Sequence, residues 1–174
     1  DTDTGIDTDV PGFEFAEFTE APIVLDGVPN ETIWDLATPV TGVAAGTSDN
    51  TVLFDAVWDA TSLYIAVVVQ DANIIIDGPQ DWEDDSVEFF FDFDNSDCVA
   101  ATWGTECYDA TNQHPRVMAD GSLANVTITA LGYSIEYKID WADFGITPSG
   151  YMNIGFDLGV NDDDDNGNRD GMLM

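Results

Sequence analysis

The sequence predicts an all-β fold, an antiparallel β-sandwich of immunoglobulin or jelly-roll type with an acidic N-terminal tail. Three observations carry that expectation. Runs of eight to ten residues rich in Val, Ile, Phe and Tyr recur along the chain, turn chemistry separates them, and no helical period of useful length appears. Hydrophobic residues make up 44% of the 174 positions, enough for one domain with a sizeable core and too much for a disordered acidic chain.

Residues 1–12, DTDTGIDTDVPG, alternate Asp with Thr, Gly and Val and read as a linker or solvated tail, ordered only if calcium, the domain surface or a neighbouring subunit holds it. Phe13, Phe15 and Phe18 then punctuate an acidic segment, so residues 1–19 form a tail or added strand and residues 20–174 the sandwich. PIVLDG, residues 22–27, predicts a short strand and turn, and PNETIWDL, residues 29–36, one or two helical turns. TVLFDAVWD (51–59) and SLYIAVVVQD (62–71), separated by Ala60 and Thr61, predict a hairpin of well-buried strands. DSVEFFFDF (85–93) places Val87, Phe89, Phe91 and Phe93 on one face and Glu88, Phe90 and Asp92 on the other. LANVTITALG and YSIEYKIDW (123–141) predict a second hairpin around Gly132, and MNIGFDLGVND (152–162) the last long strand. Trp34, Trp58 and Trp141 sit inside apolar patterns and are expected in the core; Trp103 is expected to be exposed.

The formal charge is −32, from 35 acidic residues against Lys138, Arg116 and Arg169. Self-repulsion on that scale calls for divalent cations or high salt, and it disfavours a nucleic-acid partner, whose phosphates would meet like charge. Calcium is the expected cation, with a solvated acidic surface as the alternative. In NDDDDNGNRD, residues 161–170, Asp162, Asp164 and Asn166 alternate ahead of Gly167, the kind of turn that aims several oxygens at calcium, although position twelve of an EF-hand would be Leu173 rather than Glu. DFDNSD offers a second candidate set, Asp92, Asp94 and Asp97, and DTDTGIDTD a third.

Cys98 and Cys107 lie nine positions apart in a loop-like stretch. A disulfide is the economical reading, free buried thiols and a metal site being the alternatives. No apolar run is long enough to span a bilayer. A chain opening on Asp1 rather than Met reads as processed, which together with the disulfide points to a secreted, extracellular protein. Catalysis is not expected: there is one His, no GxSxG and no phosphate-cradling glycine loop, and carboxylate pairs are too common here to single one out.

The segments PIVLDGVPNETIWD, AVWDATSLYIAVVVQD, DWEDDSVEFFFDFDN, GYSIEYKIDWADFG and MNIGFDLGVNDDDDNGNRDGMLM, taken in order, resemble the successive signatures of family 9 carbohydrate-binding modules over about residues 20–174. The resemblance implies a sandwich fold, structural calcium and a poly- or oligosaccharide ligand. It also implies a sugar stacked on Trp82, with Glu88 of the same motif and Arg116 on the following strand as polar partners; the family's second tryptophan would follow Met174. The alternative role for these residues is structural, with Trp82 packed over a sheet edge and Glu88 paired to Arg116. Haem-binding sandwiches share the superfamily, which draws attention to His114 and Met118, four apart, although packing is the ordinary role of such a pair. A rival expectation is a self-assembling extracellular subunit, in which residues 1–19 add a strand to the open edge of another copy and build a filament or surface layer.

Overall fold

The computed structural model describes residues 15–95, 112–165 and 167–174. Two six-stranded sheets pack face to face. The first contains β1 (Glu17–Phe18), β2 (Thr38–Val40), β4 (Thr51–Trp58), β5 (Ser62–Gln70), β9 (Val126–Thr129) and β10 (Gly132–Asp140), ordered β1-β4-β5-β10-β9, with β2 also on β4. The second contains β3 (Val43–Gly46), β6 (Ser86–Asp92), β7 (Asn112–Gln113), β8 (Arg116–Met118), β11 (Gly155–Asp162) and β12 (Gly171–Leu173), ordered β3-β12-β11-β6-β7, with β8 also on β6. Every pairing is antiparallel except β1 with β4. A single turn of 3-10 helix, Trp141–Phe144, follows β10.

The hairpin of β4 and β5 turns through Asp59, whose carboxylate accepts from the N–H groups of Thr61 and Ser62 at 2.6 and 2.7 Å. The β9–β10 hairpin turns where Gly132 adopts φ 139, with its α-carbon so close to β5 that a β-carbon would sit 2.1 Å from the Val69 carbonyl oxygen. Only glycine fits there. Alternation in β6 falls as the pattern requires: Val87, Phe89 and Phe91 enter the core with Ile65, Tyr133 and Leu158, and Glu88 and Phe90 face outward. Trp141 is buried, and Trp58 is half-buried against the core.

Three expectations need correction, those for residues 22–27, for residues 29–36 and for Trp34 in the core. Residues 22–27 form no strand. They cross the outer face of the first sheet, where buried Glu136 accepts from the N–H groups of Asp26 and Gly27 at 3.1 and 3.0 Å and the Ser134 hydroxyl donates to the Gly27 carbonyl at 2.6 Å. Residues 29–36 form no helix but a turn, in which Trp34 donates to the Glu31 carboxylate at 3.1 Å and stays half-buried outside the core cluster. The five short strands β2, β3, β7, β8 and β12, of two to four residues each, were not separately expected. Of residues 1–19, which the rival expectation gave to another copy, Glu17 and Phe18 pair in parallel with Val57 and Trp58 of their own chain, and the Phe18 and Trp58 rings meet edge-on at 4.8 Å. Residues 1–14, including Phe13, lie outside the described residues, as do Asp97, Cys98, Trp103, Cys107 and Asn166.

Candidate carbohydrate face and acidic rim

The outward face of the second sheet is built by register. Arg116 on β8, Glu88 on β6 and Gly159 on β11 stand side by side in one row, and Met118, Ser86, Asn161 and Met172 in the next. Glu88 is almost fully buried, yet it remains an anion because its oxygens are occupied by donors. Arg116 Nη2 donates to Glu88 Oε2 at 2.9 Å, His114 Nε2 pairs with the same oxygen, and Asn161 Nδ2 donates to Glu88 Oε1 at 2.7 Å. Burial alone would raise this carboxyl, but the bonds from Arg116, Asn161 and His114 outweigh it and hold Glu88 below the ordinary glutamate value.

Trp82 remains 46% exposed in the loop that leads into β6, and the Arg116 guanidinium carbon lies 5.8 Å from its ring centroid. One part of the indole is therefore backed by a cation that Glu88 fixes, and the rest meets solvent. His114 stacks on Phe90 with centroids 4.0 Å apart. Asn161 links the face onward, since its Oδ1 accepts from Arg169 Nη1 at 2.6 Å. Gly159 leaves the space that the Met172 methyl fills, because a β-carbon there would come within 2.3 Å of Met172 Cε. The residues named from the sequence, Trp82, Glu88 and Arg116, thus come together. The ion pair and the exposed indole coexist, so both roles weighed for this trio are present. His114, its Nε2 taken by Glu88, joins the same network, as do Asn161 and Arg169, which sequence reasoning did not find.

At the rim of the sandwich, beside this face, aspartates from both sheets converge. Oxygens of Asp71, Asp85 and Asp162 lie within 4.8 Å of one another, and so do those of Asp49, Asp162 and Asp164, of Asp77, Asp84 and Asp163, and of Asp163, Asp165 and Asp170. Asp85, wholly buried, is pushed up to about 8, and Asp71 to about 6, by burial first and by neighbouring carboxylates second. Burial also raises Asp162 and Asp163. Four polar atoms there are buried without a hydrogen-bond partner among the described residues: Asp71 Oδ2, Asp162 Oδ1, Asp163 Oδ2 and the Tyr133 hydroxyl. Burial and the charges of Asp85, Asp71 and Asp162 drive that phenol well above its ordinary value. Stranded, mutually repelling oxygens at this spacing fit a hard cation, which takes about six to eight oxygens at about 2.3–2.6 Å. Asp162 and Asp164 of the expected loop belong to these groups, whereas Asp92 and Asp94 belong to none of them. Asp71 and Asp85 went unnoticed in the sequence because each looks like the polar end of a strand; DWEDDSVE contained the signal in its doubled Asp.

The same rim shapes the loop that carries Trp82. Asp84 Oδ1 accepts from the N–H groups of Asp77 and Gly78 at 3.0 and 2.6 Å, and Asp85 Oδ2 from that of Ile75 at 2.7 Å. Among the described residues no helix is long and apolar enough to cross a membrane.

The fold is thus a two-sheet β-sandwich with an exposed tryptophan set in a polar network on one sheet face. The profile of the carbohydrate family 9 binding domain-like family matches residues 25–174, and the chain belongs to that family. It is 31% identical over 164 residues to endo-1,4-beta-xylanase A of Thermoanaerobacterium saccharolyticum, which covers 86% of this chain and 13% of the enzyme. It is 30% identical over 164 residues to exoglucanase XynX of Acetivibrio thermocellus, covering 86% of this chain and 14% of that protein. The chain therefore spans about one seventh of the length of these relatives. Two solved structures of a family 9 carbohydrate-binding module from Caldicellulosiruptor kristjanssonii, one in complex with glucose and one with cellotriose, superpose with a TM-score of 0.74 at 21% identity. They cover 91% and 92% of this chain and 82% and 83% of theirs, and they share its fold.

Proposed function

We propose that this chain is a secreted, calcium-stabilised module that binds a poly- or oligosaccharide on the outer face of its second sheet. One observation carries the reading: Trp82 keeps nearly half of its surface in solvent while a buried Glu88–Arg116 pair fixes the cation beside it. The C–H face of a pyranose covers an exposed indole, and the Arg116 guanidinium at its border suits the hydroxyl rim. The relatives support β-1,4-linked glucose or xylose chains, since they are named as xylanases and an exoglucanase and the structural neighbours were solved with glucose and cellotriose. This chain matches only about one seventh of those xylanase and exoglucanase chains, which supports a role in holding a larger polypeptide at a polysaccharide.

Calcium, when bound, supplies positive charge that the rim lacks. Asp71, Asp85 and Asp162 would hold one ion between the ends of the two sheets, and Asp77, Asp84 and Asp163 suit another at the base of the Trp82 loop. The test is calorimetric titration with cellotriose and xylotriose in millimolar calcium, on the unmodified protein and on Trp82→Ala. Saturable binding lost in the variant supports the reading, and no heat from either sugar overturns it.

A further inference from the structure

The chain is poor in cations, with three Lys and Arg and one His against 35 acids. All but Lys138 converge on the proposed sugar face. Arg116 and His114 both pair with Glu88, and Arg169 reaches the same carboxylate through Asn161. Glu88 is the one carboxylate in this network, so two arginines exceed it by one positive charge, and a protonated His114 would add another. Arg169 is the more unusual of the two. It sits between Asn168 and Asp170 in the most acidic loop of the protein, yet the ion pairs among the described residues are those of His114, Arg116 and Lys138. Its bonds run from Nη1 to the neutral Asn161 Oδ1 and, at 3.5 Å, to the Met172 sulfur. Asn161 is thus fixed at both ends, with its amide nitrogen on Glu88 and its oxygen on Arg169. That arrangement turns Arg169 towards the face rather than towards the aspartates at the rim. On the same side Arg116 Nε is buried without a hydrogen-bond partner among the described residues. An acidic protein that leaves Arg169 out of any ion pair among the described residues, and bonds it instead to a neutral amide on the sheet face that carries Arg116, is arranged to receive an anion from outside.

We infer that the Trp82 face selects a carbohydrate that carries a carboxylate, a uronic acid residue, and that Arg169 is the residue that determines this preference. The inference rests on the carbohydrate reading and narrows it. A uronate stacks on tryptophan as a neutral sugar does, because the C–H face of the ring is unchanged, and its carboxylate matches the planar fork of a guanidinium. The surrounding charge of −32 opposes an anionic ligand at long range. Salt at physiological strength screens that repulsion beyond about 8 Å, and short bonds made in the partly desolvated face persist.

The experiment compares three sugars by titration calorimetry on the whole chain, in millimolar calcium at fixed ionic strength: xylotriose, xylotriose bearing one glucuronic acid branch, and the same branched sugar with its carboxylate reduced to the alcohol. The acidic sugar is expected to bind at least about tenfold more tightly than xylotriose, and the reduced one to fall back to the neutral level. Arg169→Gln should erase the preference, so that the acidic sugar binds no more tightly than xylotriose, and Arg169→Lys should retain part of it. Equal or weaker binding of the acidic sugar to the unmodified protein overturns the inference and leaves the carbohydrate reading standing. Silence with all three sugars overturns both. A preference that survives in Arg169→Gln overturns the assignment to Arg169. If that variant does not fold, the comparison of the three sugars on the unmodified protein still decides the charge preference.

Discussion

Removing calcium should invert the pH dependence of stability. In the metal-free protein the rim carboxyls are raised, Asp85 to about 8 and Asp71 to about 6, against about 3.9 for an unfolded aspartate. Between those limits the folded state holds more protons than the unfolded one, so stability falls as pH rises from 4 towards 8 and is recovered on acidification. With calcium bound the same carboxylates must be ionised, and protons compete with the ion, so acidification now weakens the fold. An ion present at a hundredfold excess over its dissociation constant adds about 2.7 kcal/mol, and for a domain of this size each kcal/mol moves the midpoint by about 2–4 °C. One site therefore corresponds to a gap of about 5–11 °C at pH 8, and a second would add a similar amount. The assay is a thermal melt followed by circular dichroism in EDTA and in millimolar calcium, at constant potassium chloride and at pH 8 and 5.5. The midpoint in EDTA should rise on acidification while the midpoint in calcium falls, closing the gap. Curves that coincide at pH 8, or that both fall on acidification, would refute the assignment of the rim as a cation site.

Three further outcomes are expected from substitutions. Trp82→Ala should reduce oligosaccharide affinity by about thirtyfold or more, as loss of an anchoring tryptophan does, and change stability by less than about 0.5 kcal/mol because the indole is half exposed; calorimetry and a melting curve check the two halves. Glu136→Ala should cost about 1–3 kcal/mol for each of the two backbone donors it strands, those of Asp26 and Gly27, read by urea titration, with sugar affinity unaltered because Glu136 lies on the opposite sheet. Phe89→Ala should cost about 3–5 kcal/mol by the same titration, since the ring is fully buried between Phe91 and Tyr137.

The long strands were legible because each repeats its pattern over enough residues to fix a period: β4, β5, β6, β10 and β11 fall where alternation and the turn residues put them. β2, β3 and β12 are too short to carry a period and exist because a longer neighbour offers hydrogen bonds, information held by the partner strand. PIVLDG looked like a strand for its Ile and Val, but a tertiary demand won, namely capture of the Asp26–Gly27 turn by Glu136 across 109 and 110 positions of sequence. The site divides in the same way. Trp82, Glu88 and Arg116 were found through motif resemblance, and Asp162 and Asp164 through local spacing. Asp71 and Asp85 belong to the rim only because the end of β5 lies beside the start of β6, and Asn161 and Arg169 join Glu88 only because β11 pairs with β6. Convergence of residues from separate strands leaves no local mark.

The central claim, that the Trp82 face is where carbohydrate binds, is tested most directly by a nitrogen-15 proton correlation spectrum recorded as cellotriose or xylotriose is added in calcium. The indole signal of Trp82 and the amides of Glu88, Arg116 and Asn161 should shift together and saturate, while the indoles of Trp34, Trp58 and Trp141 stay in place. Shifts confined to those other tryptophans or to the first sheet, or no shift at millimolar sugar, would contradict it.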